Sequence, residues 1–224
     1  CAAAAHRGDY GELRIGILAS LTRGFLHKLL RFFRERHPEV RLVLREGTPL
    51  ESLHSLALGD LDISFVTGYP DLPGYTAQVL WNESVFTVLP RAHELAQKKT
   101  IKWDDIRREV FIVSRGGPGS EIQDYLIKKL SRPGFRPRID VHDVSRGSLH
   151  DLVAMDYGIT LASTSSVRAD GGDVVFRLIE GEIDVLPSSA IWSPNNTNPA
   201  LRHLLKLTAD IACENSNEKR RTVA

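Results

Sequence analysis

Hydroxyl side chains follow three predicted strands in the first part of the chain. Ser20 and Thr22 come after the first strand, Thr48 after the second and Thr67 after the third. The carboxyl ends of parallel strands lie at one edge of a sheet, where the following helices present backbone N–H groups and a partial positive charge. Such an edge suits a carboxylate. The same hydroxyls could instead cap helices or start a turn, so both roles stay open.

A second candidate for anion binding lies in the middle of the chain. The run 114–120, Ser-Arg-Gly-Gly-Pro-Gly-Ser, leads from a predicted strand into a predicted helix. Its glycines let the backbone approach a bound anion closely, and Ser114 and Arg115 supply side-chain donors. The run lacks the Gly-Lys-Ser/Thr ending of a nucleotide-binding loop, and it is not a dinucleotide fingerprint.

Motifs for catalysis or metal binding do not occur in the sequence. There is no Gly-x-Ser-x-Gly elbow and no His-Glu-x-x-His pair, and the eight histidines are scattered. The two cysteines, Cys1 and Cys213, stand at opposite ends of the chain and form neither a disulfide framework nor a metal-ligand spacing. We therefore predict no catalytic residue, no metal and no cofactor, and a reducing, cytoplasmic location.

Composition excludes several classes of protein. The 224 residues are 42% hydrophobic and 25% charged, as in ordinary globular proteins, which argues against disorder and against a coiled coil. Lys plus Arg total 29 against 28 for Asp plus Glu, so the chain lacks the positive excess of a domain that grips nucleic acid. No apolar stretch approaches the roughly 18 residues that cross a bilayer, so we predict no membrane contact.

The spacing of apolar residues predicts the elements that would position these side chains. Two α/β units are expected, of which the first opens as a βαβαβ run with a parallel sheet. Long strands near 85–89 and 187–192 would carry the chain out of the first unit and back. The predicted strands are 13–18, 40–45, 61–66, 81–89, 110–113, 138–142, 158–162 and 186–192, and the predicted helices are 25–37, 50–58, 103–108, 120–130, 149–155 and 199–213.

Several local patterns, in their order and spacing, resemble the effector-binding domain of LysR-type transcriptional regulators. The resemblance covers about residues 11–212. It rests on Gly11–Gly16, Phe32–Leu42, Glu46-Gly47, Leu53–Ile63, Leu89-Pro90, His93, Leu95-Ala96 and Asp156–Leu161.

The resemblance implies a fold of two Rossmann-like lobes linked by two crossover strands, similar to type 2 periplasmic binding proteins. Lobe I would span 11–86 and 190–213, and lobe II would span 87–189. Residues 1–10 would end a linker and 214–224 would form a flexible tail. In the full regulator a winged helix-turn-helix comes first, and we expect any DNA contact to be made by that domain, which this chain does not include.

The family's effector contacts fall on loops that correspond to named residues of this chain. A small, anionic effector in the cleft between the lobes would contact Ser20, Thr22, Thr48, Thr67, Ser114 and Arg115, with Ser145, Arg146 and Ser163 as further candidates. The chain departs from the family pattern at Ala162–Ser166, which replaces a proline-containing segment and would make that rim more polar. It also has Glu94 where the family often has proline.

Regulators of this family also form homodimers or homotetramers. The helix at 22–37 would pair with the helix at 120–131 of a second copy in an isologous contact. We expect that interface to be formed by Phe25, Leu29, Phe33, Ile122 and Leu126.

Two other functions remain open at this stage. The chain begins at Cys1 without Met, as a piece of a longer protein would, or as a bacterial lipoprotein would whose Cys carries the lipid. The alternative is therefore an extracytoplasmic solute-binding protein of a transporter, which shares the fold and needs no dimer. An enzyme on the same scaffold is also possible because a fold does not fix a function.

Overall fold

The computed structural model describes residues 10–18, 24–70, 72–167 and 172–222, with side chains described to residue 211. The chain divides into two compact units. The first comprises residues 1–82 and 187–224, and the second comprises residues 83–186.

The first unit is a five-stranded sheet with helices on both faces. Strand order in the sheet is β2-β1-β3-β11-β4. Its strands, numbered along the chain, are β1 Gly11–Ile17, β2 Val40–Glu46, β3 Ile63–Thr67, β4 Thr76–Glu83 and β11 Leu186–Trp192; its helices are α1 Phe25–Arg36, α2 Pro49–Ala57 and α6 Pro199–Thr222.

Strand β1 pairs in parallel with both β2 and β3. This confirms the predicted βαβαβ run with its parallel sheet. Strand β11 returns antiparallel to β3, with Ser188 opposite Thr67. The loops after β1, β2 and β3 therefore leave the sheet from one edge, which we call the first edge.

The core of the first unit lies between the sheet and helices α1 and α6. Strand β1 buries Leu13 and Ile15, α1 buries Phe33, and α6 buries Leu204. The apolar residues of α1 recur at helical spacing, so one stripe faces the core while the rest of the helix carries basic residues.

The second unit contains a four-stranded sheet, in the order β6-β10-β5-β9, and the parallel pair β7-β8. Backbone hydrogen bonds between Ile159 and both Val110 and Ile112 join β7 to the start of β9 in parallel. The strands are β5 Val85–Pro90, β6 Thr100–Ile101, β7 Val110–Ser114, β8 Arg138–His142, β9 Thr160–Ser163 and β10 Val174–Ile179; the helices are α3 Trp103–Ile106, α4 Gly119–Leu130 and α5 Arg146–Ala154. The carboxyl ends of β7, β8 and β9 form what we call the second edge.

The structure differs from the prediction at the first crossover. The single strand expected at 81–89 is two strands in two sheets, β4 and β5, interrupted at Ser84. The Ser84 amide donates to Thr164 Oγ1 at 2.9 Å and its hydroxyl accepts from the Asp184 amide at 2.9 Å. These side-chain contacts replace a strand ladder at that residue.

Candidate functional site

Thr67 lies at the first edge with an uncommitted hydroxyl. It ends β3 and is half-buried, and within the described part of the chain its side chain makes no hydrogen bond. The backbone beyond it is fixed, since the Gly68 amide donates to the Pro187 carbonyl at 2.8 Å and Ser189 Oγ donates to the Gly68 carbonyl at 2.7 Å. Thr67 therefore presents a hydroxyl donor from a fixed position.

Thr48 also lies at the first edge, but it caps α2. Its hydroxyl accepts from the Glu51 amide at 3.3 Å and donates to Glu51 Oε2 at 2.9 Å, and the Thr48 amide donates to the same oxygen at 2.7 Å. The backbone bond, followed by the side-chain bond, holds the pKa of Glu51 below its ordinary value. Because the Thr48 hydroxyl already donates its one hydrogen bond to Glu51, its side chain has no donor left for an anion.

The other two candidates at this edge, Ser20 and Thr22, lie outside the described residues. Their assignment to the effector remains a prediction.

Ser114 holds the loop at the second edge in shape. It is buried at the end of β7, and its hydroxyl donates to the Gly116 carbonyl at 2.8 Å. At Gly119 a β-carbon would lie 1.6 Å from the Ser114 carbonyl oxygen, so only glycine allows α4 to begin this close to β7. The hydroxyl of Ser114 therefore already has an acceptor, and the loop can take this conformation only because residue 119 is glycine.

Arg115 supplies a cation at the second edge. Its amide donates to the His142 carbonyl at 2.7 Å, which places it beside the end of β8. The guanidinium Nε lies 3.9 Å from Asp143 Oδ2, and both side chains are largely exposed. An exposed pair at that distance binds weakly, so Arg115 remains available to an anionic ligand.

Ser145 caps α5 at the same edge. Its hydroxyl accepts from the Ser148 amide at 3.2 Å and lies 3.1 Å from Ser148 Oγ. No acidic side chain stands in the first turn of α5, where Arg146 is the first residue. The first turn of α5 therefore carries no acidic side chain that would offset the positive end of the helix dipole.

Ser163 ends β9, and the hydroxyls that follow it turn inward. Ser163 Oγ lies 3.2 Å from Ser165 Oγ, and Ser165 donates from its hydroxyl at 3.0 Å and from its amide at 3.2 Å to Glu83 Oε2. Thr164 bonds to Ser84, as described above. The polar side chains expected to form a rim at Ala162–Ser166 thus bond mainly to Glu83 and Ser84, the first residues of the second unit.

Sequence reasoning missed Glu83 as the acceptor in this cluster. The carboxylate is 5% exposed and lies where β4 ends. Its signal in the sequence was slight, because Asn82-Glu83-Ser84 has the composition of an ordinary polar turn.

A partly buried ion pair joins the middle of β1 to the start of β3, away from the first edge. Asp62 accepts hydrogen bonds from the Arg14 amide at 2.8 Å, from Arg14 Nε and Nη2 at 3.2 Å each, and from Asn196 Nδ2 at 3.1 Å. Burial alone raises the pKa of Asp62, but the bonds from Arg14 and Asn196 outweigh it and hold the pKa below its ordinary value. This carboxylate ties two strands to the loop before α6, which is a structural role.

A second buried carboxylate, Glu182, fastens helices in the second unit. It accepts from Lys129 Nζ at 2.6 Å, from Trp103 Nε1 at 2.8 Å and from the Tyr125 hydroxyl. Burial raises the pKa of Glu182, and the three donors, Lys129 first, outweigh burial and lower it. Burial and the bond to Glu182 also raise the pKa of Tyr125. The cluster joins α3, α4 and the turn after β10.

Most of the residues predicted for the dimer interface are buried within their own unit. Four of the five side chains are enclosed by the core of their own unit and have no surface to offer a second copy. They are Phe25, Leu29 and Phe33 in the first unit and Leu126 in the second. Ile122 is partly buried against the second core. A helix with one apolar stripe uses that stripe for its own unit, so only its other face is available to a partner.

The described residues offer neither a metal site nor a membrane-spanning helix. Over residues 10–18, 24–70, 72–167 and 172–211, no three His, Cys, Asp or Glu side chains are grouped so as to hold a metal ion. Across the same described segments, no helix has the length and hydropathy that a bilayer requires.

Comparison with known proteins places this geometry in a family. The family model described as the LysR substrate binding domain matches residues 6–212. The HTH-type transcriptional regulator AlsR of Bacillus subtilis is 27% identical over 208 residues, which cover 90% of this chain and 67% of AlsR. The transcriptional dual regulator GltC of the same organism is 25% identical over 157 residues, covering 70% of this chain and 52% of GltC. The chain spans about half to two thirds of these relatives.

Solved structures show the same fold. Full-length CbnR in complex with its target DNA superposes with a TM-score of 0.78 at 23% identity, over 94% of this chain and 72% of CbnR. The BenM effector binding domain with its effector benzoate gives a TM-score of 0.74 at 20% identity, over 92% of this chain and 94% of that one. The predicted fold class, two α/β lobes of the type 2 periplasmic-binding-protein kind, is confirmed.

Proposed function

This chain belongs to the family of LysR substrate-binding domains, and from that membership we propose that it senses a small anionic effector for a bacterial LysR-type transcriptional regulator. The candidate effector contacts are Thr67 at the first edge of the first unit and Arg115 at the second edge of the second unit. DNA is bound by a winged helix-turn-helix elsewhere in the full protein, which acts in the cytoplasm.

The position of Arg115 is the main support for an anionic effector. Its guanidinium stands at the end of β7 with only a distant, exposed carboxylate nearby. The start of α5, which has no acidic residue in its first turn, lies at the same edge. A carboxylate, phosphate or sulfate placed there gains charge-assisted hydrogen bonds that a neutral molecule does not.

Thr67 is the corresponding donor of the first edge. Its hydroxyl is uncommitted, whereas that of Thr48 is used in a cap. We assign effector contact to Thr67 and Arg115, and treat Ser114, Ser145 and Ser163 as residues that fix the second edge. Ser20 and Thr22 keep their predicted role.

Signalling requires that the effector bind one arrangement of the regulator more tightly than another. A ligand with equal affinity for both would shift nothing. The proposal therefore includes a homodimer or homotetramer through which the bound state of this domain reaches the DNA-binding domains.

The helices predicted to pair across the dimer differ in charge. The exposed face of α1 is mostly basic, with Glu35 as its one acidic residue. The first half of α4 carries the half-buried Glu121 and the exposed Asp124, and it leads to Ile127, which is 43% exposed, and to Lys128. We infer that the interface uses these faces in place of the buried stripes. The residues concerned are His27, Lys28, Arg31, Arg34 and Arg36 on α1, and Glu121, Asp124 and Ile127 on α4.

The relatives bear on the other two functions. AlsR and GltC are transcriptional regulators, which favours a sensor over a transporter's solute-binding lipoprotein and over an enzyme.

A thermal-shift screen tests the proposal. The chain is heated with a panel of small carboxylates, phosphates and sulfates, and with neutral analogues of each. A ligand at one hundred times its Kd adds about 2.7 kcal/mol to stability, which raises Tm by several degrees. We expect an anion to raise Tm in the parent and in Arg138→Gln, whose arginine is exposed at the opposite end of β8, but not in Arg115→Gln. A panel in which only neutral compounds raise Tm would refute the anionic assignment.

A further inference from the structure

A cavity lies within the first unit, between α2 and the edge strand β2. Its volume is about 260 Å³, below the 300–1,000 Å³ typical of drug-sized ligands, so it suits a small molecule. It is lined by Arg45, Glu46, Gly47, Glu51, Ser52, Ser55 and Leu61.

Small residues of α2 line this cavity. Arg45 is paired with Gly16 of β1, so both face the side of the sheet that α2 covers. Gly16 itself is closely packed, since a β-carbon there would lie 2.7 Å from both Leu61 Cδ1 and Ser64 Oγ. Across the cavity, α2 contributes Ser52 and Ser55, where a larger residue would fill the space.

Ser52 lines the cavity with a hydroxyl that has no hydrogen-bond partner among the described residues. The side chain is only 4% exposed, and across the described segments its hydroxyl makes no hydrogen bond. The hydroxyl oxygen is accessible from the cavity and is not sealed in the core. The Ser52 hydroxyl is therefore suited to a ligand group in the cavity.

The cavity also carries charges of both signs. Arg45 is exposed and forms no ion pair with any described carboxylate. Glu51 stays ionised, because its bonds to Thr48 hold its pKa low, and those bonds use only Oε2. A purely anionic ligand would meet the carboxylates of Glu46 and Glu51, and a purely cationic one would meet Arg45.

We propose that this cavity, whose lining includes neither Thr67 nor Arg115, binds a small zwitterion of the α-amino acid class. The ligand carboxylate bonds to Arg45 and Ser52, and its ammonium group faces Glu51. A molecule with both charges satisfies all three groups at once, which neither a simple acid nor a simple amine can do.

The test is an NMR titration of the ¹⁵N-labelled chain with L-alanine, acetate and ethylammonium. We expect L-alanine to shift the amide resonances of Gly47, Ser52 and Ser55, and acetate and ethylammonium to shift them much less at equal concentration. Arg45→Gln should weaken L-alanine binding about tenfold or more, the loss expected for one charge-assisted bond. Ser52→Ala, which leaves the charges in place, should weaken it less.

Two control variants locate the binding. Arg41→Gln removes another exposed arginine of β2, one that pairs with Glu12 outside the cavity, and should leave the Kd for L-alanine unchanged. Thr67→Val should leave it unchanged as well. Equal binding of acetate and L-alanine, an unchanged Kd in Arg45→Gln, or a Kd raised by Thr67→Val would each overturn the proposal, the last by placing the amino acid against Thr67.

Discussion

Two threonines with the same position relative to their strands differ in what their hydroxyls can do. Thr48 and Thr67 both follow strands of one parallel sheet, and the sequence alone gave each the same pair of possible roles. The structure distinguishes them. Glu51 stands three residues after Thr48 and accepts the hydrogen bond that the Thr48 hydroxyl donates, while no described group accepts one from Thr67. A hydroxyl's place at an edge is predictable from sequence, whereas its hydrogen bonding depends on the neighbours that folding supplies.

Valine substitutions at these threonines should therefore have opposite effects. Thr48→Val removes a helix cap and should cost about 1 kcal/mol of the free energy of unfolding, with the ligand-induced rise in Tm retained. Thr67→Val keeps a β-branched residue in a strand and should change stability by less than about 0.5 kcal/mol, with the rise in Tm lost. Urea unfolding measures the first effect and thermal shift with the effector the second. If the rise in Tm were lost in Thr48→Val and kept in Thr67→Val, Thr48 and not Thr67 would be the effector contact.

At the scale of elements, the start of α4 depends on one glycine. The sequence indicated a glycine-rich run between a strand and a helix, and interpreted it as a backbone cradle for an anion. The structure shows that Gly119 is required by packing, since its Cα faces the Ser114 carbonyl. The contact joins a strand end to a helix start, and the sequence pattern did not show which of the glycines would make it.

Alanine at Gly119 should prevent α4 from packing at the end of β7. A β-carbon 1.6 Å from the Ser114 oxygen forces the backbone apart, and we expect a loss of more than about 3 kcal/mol in the free energy of unfolding. Gly116→Ala is the matched control, because a β-carbon there meets no atom within 4 Å. Urea denaturation of the two variants makes the comparison. Equal stability of both would show that the close approach is not a constraint.

The Glu182 cluster should make part of the stability of the second unit depend on pH. The pKa of Glu182 in the folded chain lies below the ordinary value of 4.5, so the bonds stabilise the fold above that value and are lost as pH falls through the lower, folded value. Glu182→Gln should lower the free energy of unfolding at pH 7. In this variant the free energy of unfolding should also decline less steeply than in the parent between about pH 4.5 and pH 3. The free energy of unfolding in urea, measured from pH 7 to pH 3, tests this.

Glu180→Gln serves as the control for that measurement. Glu180 is in the same turn but half-exposed, with contacts to Thr100 at 2.9 Å and Lys102 at 4.0 Å. Its removal should leave the slope of stability against pH close to that of the parent. A slope in Glu182→Gln equal to the parent's would place the acid sensitivity elsewhere.

At the scale of the molecule, the order of the main elements and the parallel βαβαβ run were predictable, because they depend on local periodicity and on short connections. Strand β10 was not predicted, although Val174–Ile179 is largely apolar, since its ladder is made with β5 and β6, more than 70 residues earlier. The break between β4 and β5 was missed for the same reason, because Ser84 is held by Thr164 and Asp184.

The dimer is also a property of the whole molecule, and its test uses an exposed residue. Phe33 is fully buried, so a charge there would disrupt the first unit before it reported on association. Ile127→Asp adds a charge to the exposed face of α4 and should yield monomers in sedimentation velocity. Met155→Asp, at an exposed position after α5, should remain dimeric. A dimer that persists in Ile127→Asp would remove α4 from the interface.

The central claim is that the charge of the effector is recognised at the second edge. The most direct measurement is calorimetric titration of a carboxylate found in the screen, beside its primary amide, against the parent, Arg115→Gln and Arg138→Gln. We predict that the parent and Arg138→Gln bind the carboxylate at least about tenfold more tightly than the amide, and that Arg115→Gln loses this preference. Equal affinity of the parent for the carboxylate and the amide would contradict the account.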